Sequence, residues 1–93
     1  MNTIPAAVIL KAYPRKRDID HDALFRLLGW DDLISNPAYA NTCAIRLSLA
    51  LIRSGVHVPD GRLAIKMGTH KGKMIEPGQV RLSAILARPS MLG

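Results

Sequence analysis

The sequence lacks several features that mark common classes of small protein. It has one cysteine in 93 residues, which excludes an intrachain disulfide framework. Aromatic residues make up only 4% of the chain, too few for a ladder of rings on which bases could stack. No apolar run reaches the roughly 18 residues expected of a membrane-spanning helix. We therefore expect neither a disulfide scaffold, nor a stacking platform for nucleic acid, nor a membrane span.

The first ten residues do not resemble a signal peptide. Met1–Leu10 contains an apolar stretch, but no charged segment precedes it, and Lys11 and Pro14 follow it closely. We therefore expect the protein to be made in the cytoplasm. If it acts elsewhere, it requires an export route that does not read signal peptides.

Apolar residues and positive charge are both plentiful. Apolar residues make up 48% of the chain, and 13 Lys and Arg against 7 Asp and Glu give a net charge of +6. A chain of this length forms one small domain with a modest core, so this apolar content suggests that something else covers part of the surface. The charge favours anionic partners such as nucleic acid, anionic lipid or the bacterial cell wall, without choosing among them.

Short elements are predicted on both sides of a central helix. Ala6–Tyr13 is an apolar run that fits either a strand or a helical turn. The other predicted elements are a helix over 22–28 between an Asp20 cap and Gly29, a strand over 63–67, a loop over 68–78, and a helix over 79–87 ended by Pro89. In the first of these helices Leu24, Leu27 and Leu28 share a face, and Trp30 is expected to pack back on it.

The central helix is predicted over 41–54. Asn41 or Thr42 is a suitable N-cap, and Gly55 stands where a left-handed C-terminal cap belongs. Between them the sequence CAIRLSLALIRS is apolar around most of the helix, which is typical of a buried helix. Its two arginines need partners if they are buried, and we expect these among the carboxylates of Asp31, Asp32 and Glu76.

Cys43 lies in the first turn of this helix, where two interpretations are open. A single cysteine is often a small core residue. However, the positive end of a helix dipole and its unpaired backbone N–H groups stabilise a negatively charged thiolate, which is the nucleophilic form of cysteine. The same N–H groups can hold an oxyanion. Position alone does not decide between a core residue and a nucleophile.

The sequence around Cys43 resembles a known nucleophile motif. Asn41-Thr42-Cys43-Ala44-Ile45-Arg46-Leu47-Ser48 is similar to that of the type VI secretion amidase effectors, family four. The resemblance extends to segments on both sides of this motif. Before it lie Gly29-Trp30, Asp32-Leu33 and Asn36-Pro37-Ala38-Tyr39, and after it lie residues 62–66 and 70–79. The similarity as a whole spans roughly residues 8–93.

The resemblance implies a fold and an activity. The fold would be α+β, the N-terminal part of a papain-like (NlpC-type) cysteine peptidase, with Cys43 at the start of its central buried helix. Cys43 would attack a peptide of peptidoglycan, at the bond between D-glutamate and diaminopimelate, with Asn41 and Thr42 supporting the helix start and the substrate. The type VI apparatus would deliver the protein into a target-cell periplasm, and a cognate immunity protein would block its cleft.

One departure from the family pattern limits what carries over. The family's catalytic histidine lies in a Gly-His motif in the second half of its domain, with an acidic residue after it. His21, His57 and His70 all lie in other contexts, so only the nucleophile carries over. We therefore expect residues 1–93 to be an incomplete catalytic domain, inactive or nearly so until a second polypeptide half supplies the histidine.

Two hypotheses from other classes of function remain open. One is a basic, non-enzymatic module that binds nucleic acid, and the other is a regulatory fragment that binds a partner through its apolar surface. The few aromatic residues and the lack of a recognition motif argue against the first, so nucleic acid is not among the expected partners. No metal site or organic cofactor is expected. The loop over 68–73 departs from a phosphate-binding loop in its glycine spacing and in Met74, and one cysteine supplies no second thiolate for zinc.

Overall fold

Four helices and a two-stranded antiparallel sheet make up the described part of the chain. The structure, a computed structural model, describes residues 6–88. In order the elements are α1 (Ala6–Ala12), α2 (His21–Leu28), short 3-10 turns at Asp31–Leu33 and Pro37–Tyr39, α3 (Cys43–Arg53), β1 (Leu63–Ala64), β2 (Met74–Ile75) and α4 (Gln79–Leu86). This agrees with the predicted α+β class. The open choice for the first apolar run is resolved as a helix.

The core is built around α3, as the apolar sequence of that helix predicts. Its buried residues lie on nearly every side of the helix: Ala44, Ile45, Arg46, Ser48, Leu49, Ala50, Leu51 and Ile52. The helices α1 and α4 and the strand β2 all contact it. The helix ends as predicted, since Gly55 takes a left-handed conformation with φ of +85° and Val56 donates its N–H to the Leu51 carbonyl.

The second helix has the predicted caps and ends at Leu28 as predicted, but it begins at His21, one residue before the predicted start. The Asp20 carboxylate accepts the Ala23 N–H at 2.9 Å, and Gly29 adopts φ of +78° after the last turn. Trp30 is fully buried; its ring meets that of Phe25 edge-to-face at 5.7 Å. Its indole N–H donates to the Ala64 carbonyl at 2.8 Å. The tryptophan thus joins α2 to the start of the sheet.

The predicted apolar face of α2 is wrong at one position. Leu24 and Leu28 are buried, but Leu27 is 44% exposed and Phe25 is buried in its place. Both Phe25 and Leu27 flank the Leu24–Leu28 stripe, on opposite sides. The core lies on the side of Phe25 because that ring packs between His21 and Trp30.

Of the two strands of the sheet, β1 is shorter than predicted, and β2 was not predicted from the sequence. Only Leu63 and Ala64 of the predicted strand pair, with Ile75 and Met74 respectively. The strand ends early because Lys66 donates its N–H to the Leu28 carbonyl rather than to a strand partner. The partner strand β2 lies within the segment predicted as a loop.

Arg46 is buried without a carboxylate partner, so the predicted pairing is wrong. It is 1% exposed. Its Nε donates to the Thr42 hydroxyl at 2.8 Å, and its Nη1 donates to the carbonyls of Pro14 and Ile19, both at 2.8 Å. Its Nη2 has no acceptor within residues 6–88. Arg46 therefore fastens the turn after α1 to the first turn of α3.

Glu76 has partners other than the predicted α3 arginines. The residue is fully buried, and its carboxylate accepts from Arg62 Nη2 at 2.7 Å, Arg81 Nε at 3.0 Å and the Gly78 N–H at 2.7 Å. Its backbone N–H and carbonyl both bond the buried Ser48 hydroxyl at 3.2 Å. Glu76 thus holds the end of β2 against α3 and joins it to α4.

The charge of Glu76 is stabilised by these contacts. Burial alone would raise the pKa of its carboxyl, but hydrogen bonds from Arg62 and the Gly78 N–H, together with the charges of Arg62 and Arg81, outweigh burial and hold the pKa below its ordinary value. The carboxylate therefore remains ionised in the folded protein at neutral pH.

The last described helix runs over Gln79–Leu86, one residue shorter than predicted. Pro89, expected to end it, lies outside the described residues. Within residues 6–88, no helix is long and apolar enough to cross a membrane.

Replacing Arg46 by methionine should lower the free energy of unfolding by about 2–3 kcal/mol, because the buried Pro14 carbonyl and the partly buried Ile19 carbonyl lose a charged donor. Arg53 provides a matched control, since it lies on the same helix but is exposed. Arg53→Met should change stability by less than about 0.5 kcal/mol. Urea denaturation followed by circular dichroism measures both variants, and equal losses would contradict the anchoring role of Arg46.

Replacing Glu76 by glutamine should remove a pH-dependent part of the stability. Since the folded-state pKa of Glu76 is lowered, its contribution is present above the unfolded pKa of about 4.3 and is lost as pH falls through the folded value. The difference in unfolding free energy between wild type and Glu76→Gln, about 2 kcal/mol at pH 7, should hold down to about pH 5 and shrink below about pH 4. A difference that does not vary between about pH 7 and pH 3 would contradict this assignment.

Candidate functional site

Cys43 is the first residue of α3, and its side chain is exposed. The residues immediately after it, Ala44 and Ile45, are buried. The helix therefore enters the core directly behind the cysteine and leaves the thiol at the surface. This position fits a nucleophile better than a core residue.

The thiol lies in a cleft of about 180 Å³ between α3, α4 and Tyr13, the residue that follows α1. The cleft walls come from three parts of the chain: Tyr13, then Cys43, Ala44 and Leu47, and finally Gln79, Leu82 and Ser83. Most of these side chains are apolar. Tyr13, Gln79 and Ser83 offer hydrogen-bonding groups, so a peptide held beside the thiol would find both apolar contact and polar partners.

Asn41 and Thr42 hold the start of the helix in different ways. Thr42 stands at the N-cap position, but its hydroxyl makes no cap bond and accepts instead from Arg46 Nε at 2.8 Å. The Asn41 carboxamide oxygen accepts the Cys43 N–H at 3.0 Å. The cap bond therefore comes from Asn41, and Thr42 links the helix start to the buried arginine.

The bond to Asn41 changes which backbone groups are open to a ligand. The Cys43 N–H already has an acceptor in Asn41, and the backbone N–H of Arg46 donates to the Thr42 carbonyl. The first-turn N–H groups of Ala44 and Ile45 have no helical acceptor, as is general at helix starts, and they point toward the same helix end. An oxyanion beside the thiol would meet these dipoles and would compete with Asn41 for the Cys43 N–H.

No histidine lines the Cys43 cleft within residues 6–88. His21 bonds the Asp22 carboxylate at 2.9 Å and the Tyr39 carbonyl at 3.1 Å, and it stacks on Phe25. His57 and His70 line two other cavities. The described part of the chain therefore brings no imidazole to the thiol.

No three His, Cys, Asp or Glu side chains in the described range are grouped closely enough to hold a metal ion. The donor groups of the cleft are hydroxyls, an amide and the single thiol of Cys43, and this set, with no second thiolate, imidazole or carboxylate from residues 6–88, does not by itself suggest a metal or a charged cofactor.

The cleft walls were not predicted from the sequence. Tyr13 follows α1, and Gln79 and Ser83 lie on successive turns of α4, so only the packing of both helices on α3 brings them to the thiol. One signal was present: Gln79 and Ser83 are polar positions four apart, which share a face of a helix with apolar Leu82 beside them.

The model of the family described as "Type VI secretion system (T6SS), amidase effector protein 4" matches residues 39–92, more than half of the chain and the whole of α3. No curated protein sequence matches the chain.

Replacing Asn41 by alanine should lower the free energy of unfolding by about 1 kcal/mol, because the Cys43 N–H loses its cap. Asn41→Asp keeps the accepting oxygen and adds a negative charge at the positive end of the helix, so it should retain wild-type stability. Thermal and urea denaturation compare the three proteins. An Asn41→Asp variant as unstable as Asn41→Ala would show that the cap bond is not what Asn41 contributes.

Proposed function

Because the chain belongs to the type VI secretion system amidase effector protein 4 family, we propose that it cleaves peptide bonds of peptidoglycan with Cys43 as its nucleophile. The observation that carries this proposal is the exposed thiol at the first residue of a helix whose next residues, Ala44 and Ile45, are buried. The fold that this arrangement supports best is that of a papain-like peptidase, in which a cysteine begins the central helix.

The proposed chemistry is acyl transfer through a thioester. The Cys43 thiolate attacks the carbonyl carbon of the scissile amide, and the resulting oxyanion faces the N–H groups at the start of α3. The C–N bond breaks and the leaving amine takes a proton, which leaves the acyl group on the sulfur. Water then attacks the thioester, releasing the carboxylic acid and regenerating the thiol.

The proton transfers require a base that residues 6–88 do not bring to the cleft. We propose that a histidine outside this range, in a second polypeptide half of the catalytic domain, packs over Tyr13 and α4 and reaches the thiol. It would accept the thiol proton and later donate one to the leaving amine. In this proposal the described residues form the nucleophile-bearing part of the domain, which is inactive or nearly so without that histidine.

The proposed target is the bond between D-glutamate and diaminopimelate in the peptide of a rival bacterium's wall. Family membership supports delivery by the type VI apparatus into the target periplasm, and a positive net charge of +6 suits an anionic wall. A cognate immunity protein in the producing cell would occupy the cleft at Cys43. The cleft is open to such a partner, because its thiol is at the surface.

Purified peptidoglycan incubated with the protein and the histidine-bearing half should release peptides whose new amine belongs to diaminopimelate. Cys43→Ala should lower the rate by about a thousandfold or more, because nothing else supplies the nucleophile. Mass spectrometry of the released peptides measures both the rate and the bond. Undiminished release by Cys43→Ala would overturn the proposed nucleophile, and a different new amine would overturn only the proposed bond.

Two controls distinguish loss of the nucleophile from a general effect of substitution and from loss of folding. Arg53 is exposed and lies at the opposite end of α3 from Cys43, so Arg53→Met should retain wild-type activity. Since the Cys43 side chain is also exposed, Cys43→Ala should unfold at the wild-type urea concentration. A Cys43→Ala variant that unfolds much earlier would assign the loss of activity to folding rather than to the nucleophile.

A further inference from the structure

A second cavity beside the Cys43 cleft carries a fixed positive charge. It has a volume of about 290 Å³ and is lined by Ala38, Tyr39, Arg62, Leu63, Pro77 and Gly78. No carboxylate of residues 6–88 lines it. The cavity adjoins the thiol cleft along the chain, because Gly78 lines the one and Gln79, the next residue, lines the other.

Arg62 is held rigidly by one edge of its guanidinium. Its Nε donates to one oxygen of the buried Glu76 carboxylate at 3.0 Å, and its Nη2 donates to the other at 2.7 Å. The side chain is nevertheless 56% exposed. Its Nη1 donates to no acceptor in the part of the chain that the structure describes. An arginine oriented in this way is ready to bind an anion without losing further side-chain freedom.

The local charge favours an anion in spite of Glu76. Arg62 and Arg81 both contact the Glu76 carboxylate, so the three charges sum to +1. Glu76 is fully buried and its oxygens are already occupied by four donor groups: Arg62 Nε and Nη2, Arg81 Nε and the Gly78 N–H. The cavity is therefore lined by the positive arginine and by Tyr39, and not by the carboxylate.

We propose that Arg62 binds a free carboxylate of the peptidoglycan peptide and thereby positions that peptide along the Cys43 cleft. This inference rests on the proposed function for its ligand, since the peptide around a D-glutamate–diaminopimelate bond carries free carboxylates on both sides. Either of these carboxylates would accept hydrogen bonds from the edge of the Arg62 guanidinium that does not contact Glu76. Leu63 and Pro77 would contact the aliphatic part of the residue that carries the carboxylate.

Arg81 provides a matched control. It also donates to Glu76 and also carries one positive charge, with a side chain about as exposed as that of Arg62, 48% against 56%. It does not line the cavity. Replacing either arginine by glutamine removes one partner of Glu76 and one charge, so any difference in peptide binding between the two variants reports on the cavity.

The probe is the tripeptide L-alanyl-γ-D-glutamyl-diaminopimelate, titrated calorimetrically into the Cys43→Ala protein so that it is not consumed. Arg62→Gln should weaken its binding by about tenfold, the effect of one charge-assisted hydrogen bond. Arg81→Gln should weaken it by less than about threefold, a difference of well under one such bond. The same tripeptide with its carboxylates amidated should bind the parent protein as weakly as the free-acid peptide binds Arg62→Gln.

The inference is overturned by equal losses in the two arginine variants, by equal binding of the acid and amidated peptides, or by no binding of either peptide. Inorganic phosphate tests for a general anion site. If phosphate binds as tightly as the peptide and with the same dependence on Arg62, the site takes free anions and the peptide assignment fails. Cleavage of peptidoglycan is measured separately, so a protein that binds the peptide through Arg62 but never cleaves it would contradict only the proposed function.

Discussion

The burial of α3 is the constraint on which the rest of the structure depends. A helix that is apolar around most of its circumference must be covered on nearly every side, and α1, α4 and β2 supply that cover. Its two end residues, Cys43 and Arg53, lie outside this cover. Cys43 is exposed, whereas Ala44 and Ile45 are buried. The same packing that stabilises this small domain therefore fixes where its thiol lies and which side chains surround it.

Two polar contacts within the core convert this burial into a defined arrangement. Arg46 binds the Pro14 and Ile19 carbonyls and so holds the turn that follows Tyr13, one wall of the Cys43 cleft. Ser48 binds both backbone groups of Glu76, whose carboxylate in turn orients Arg62 in the neighbouring cavity. Hydrophobic contact alone is non-directional, whereas these hydrogen bonds set orientation. Each links α3 to a surface that we propose contacts the substrate.

The features that could be predicted from the sequence are those determined within one short segment. The caps at Asp20, Gly29 and Gly55, and the burial of α3, follow from local residue types and periodicity. The partners of Arg46, the strand β2 and the side of α2 on which Phe25 lies depend on which segments meet in space. At the site, the position of Cys43 was predictable because it is local to one helix. The cleft walls and the cavity at Arg62 were not, because they join α1, α3, α4 and the sheet.

The central claim is that Cys43 is the nucleophile of an amidase. Because the chain has one cysteine, iodoacetamide modifies this chain's thiol at a single known position, and the modified fraction can be read from intact mass. The decisive measurement follows peptidoglycan cleavage by the complete, histidine-containing protein against the fraction of Cys43 alkylated. The account predicts that activity falls in direct proportion to the unmodified fraction and reaches the background level at full modification. Activity that persists when Cys43 is fully alkylated would contradict it.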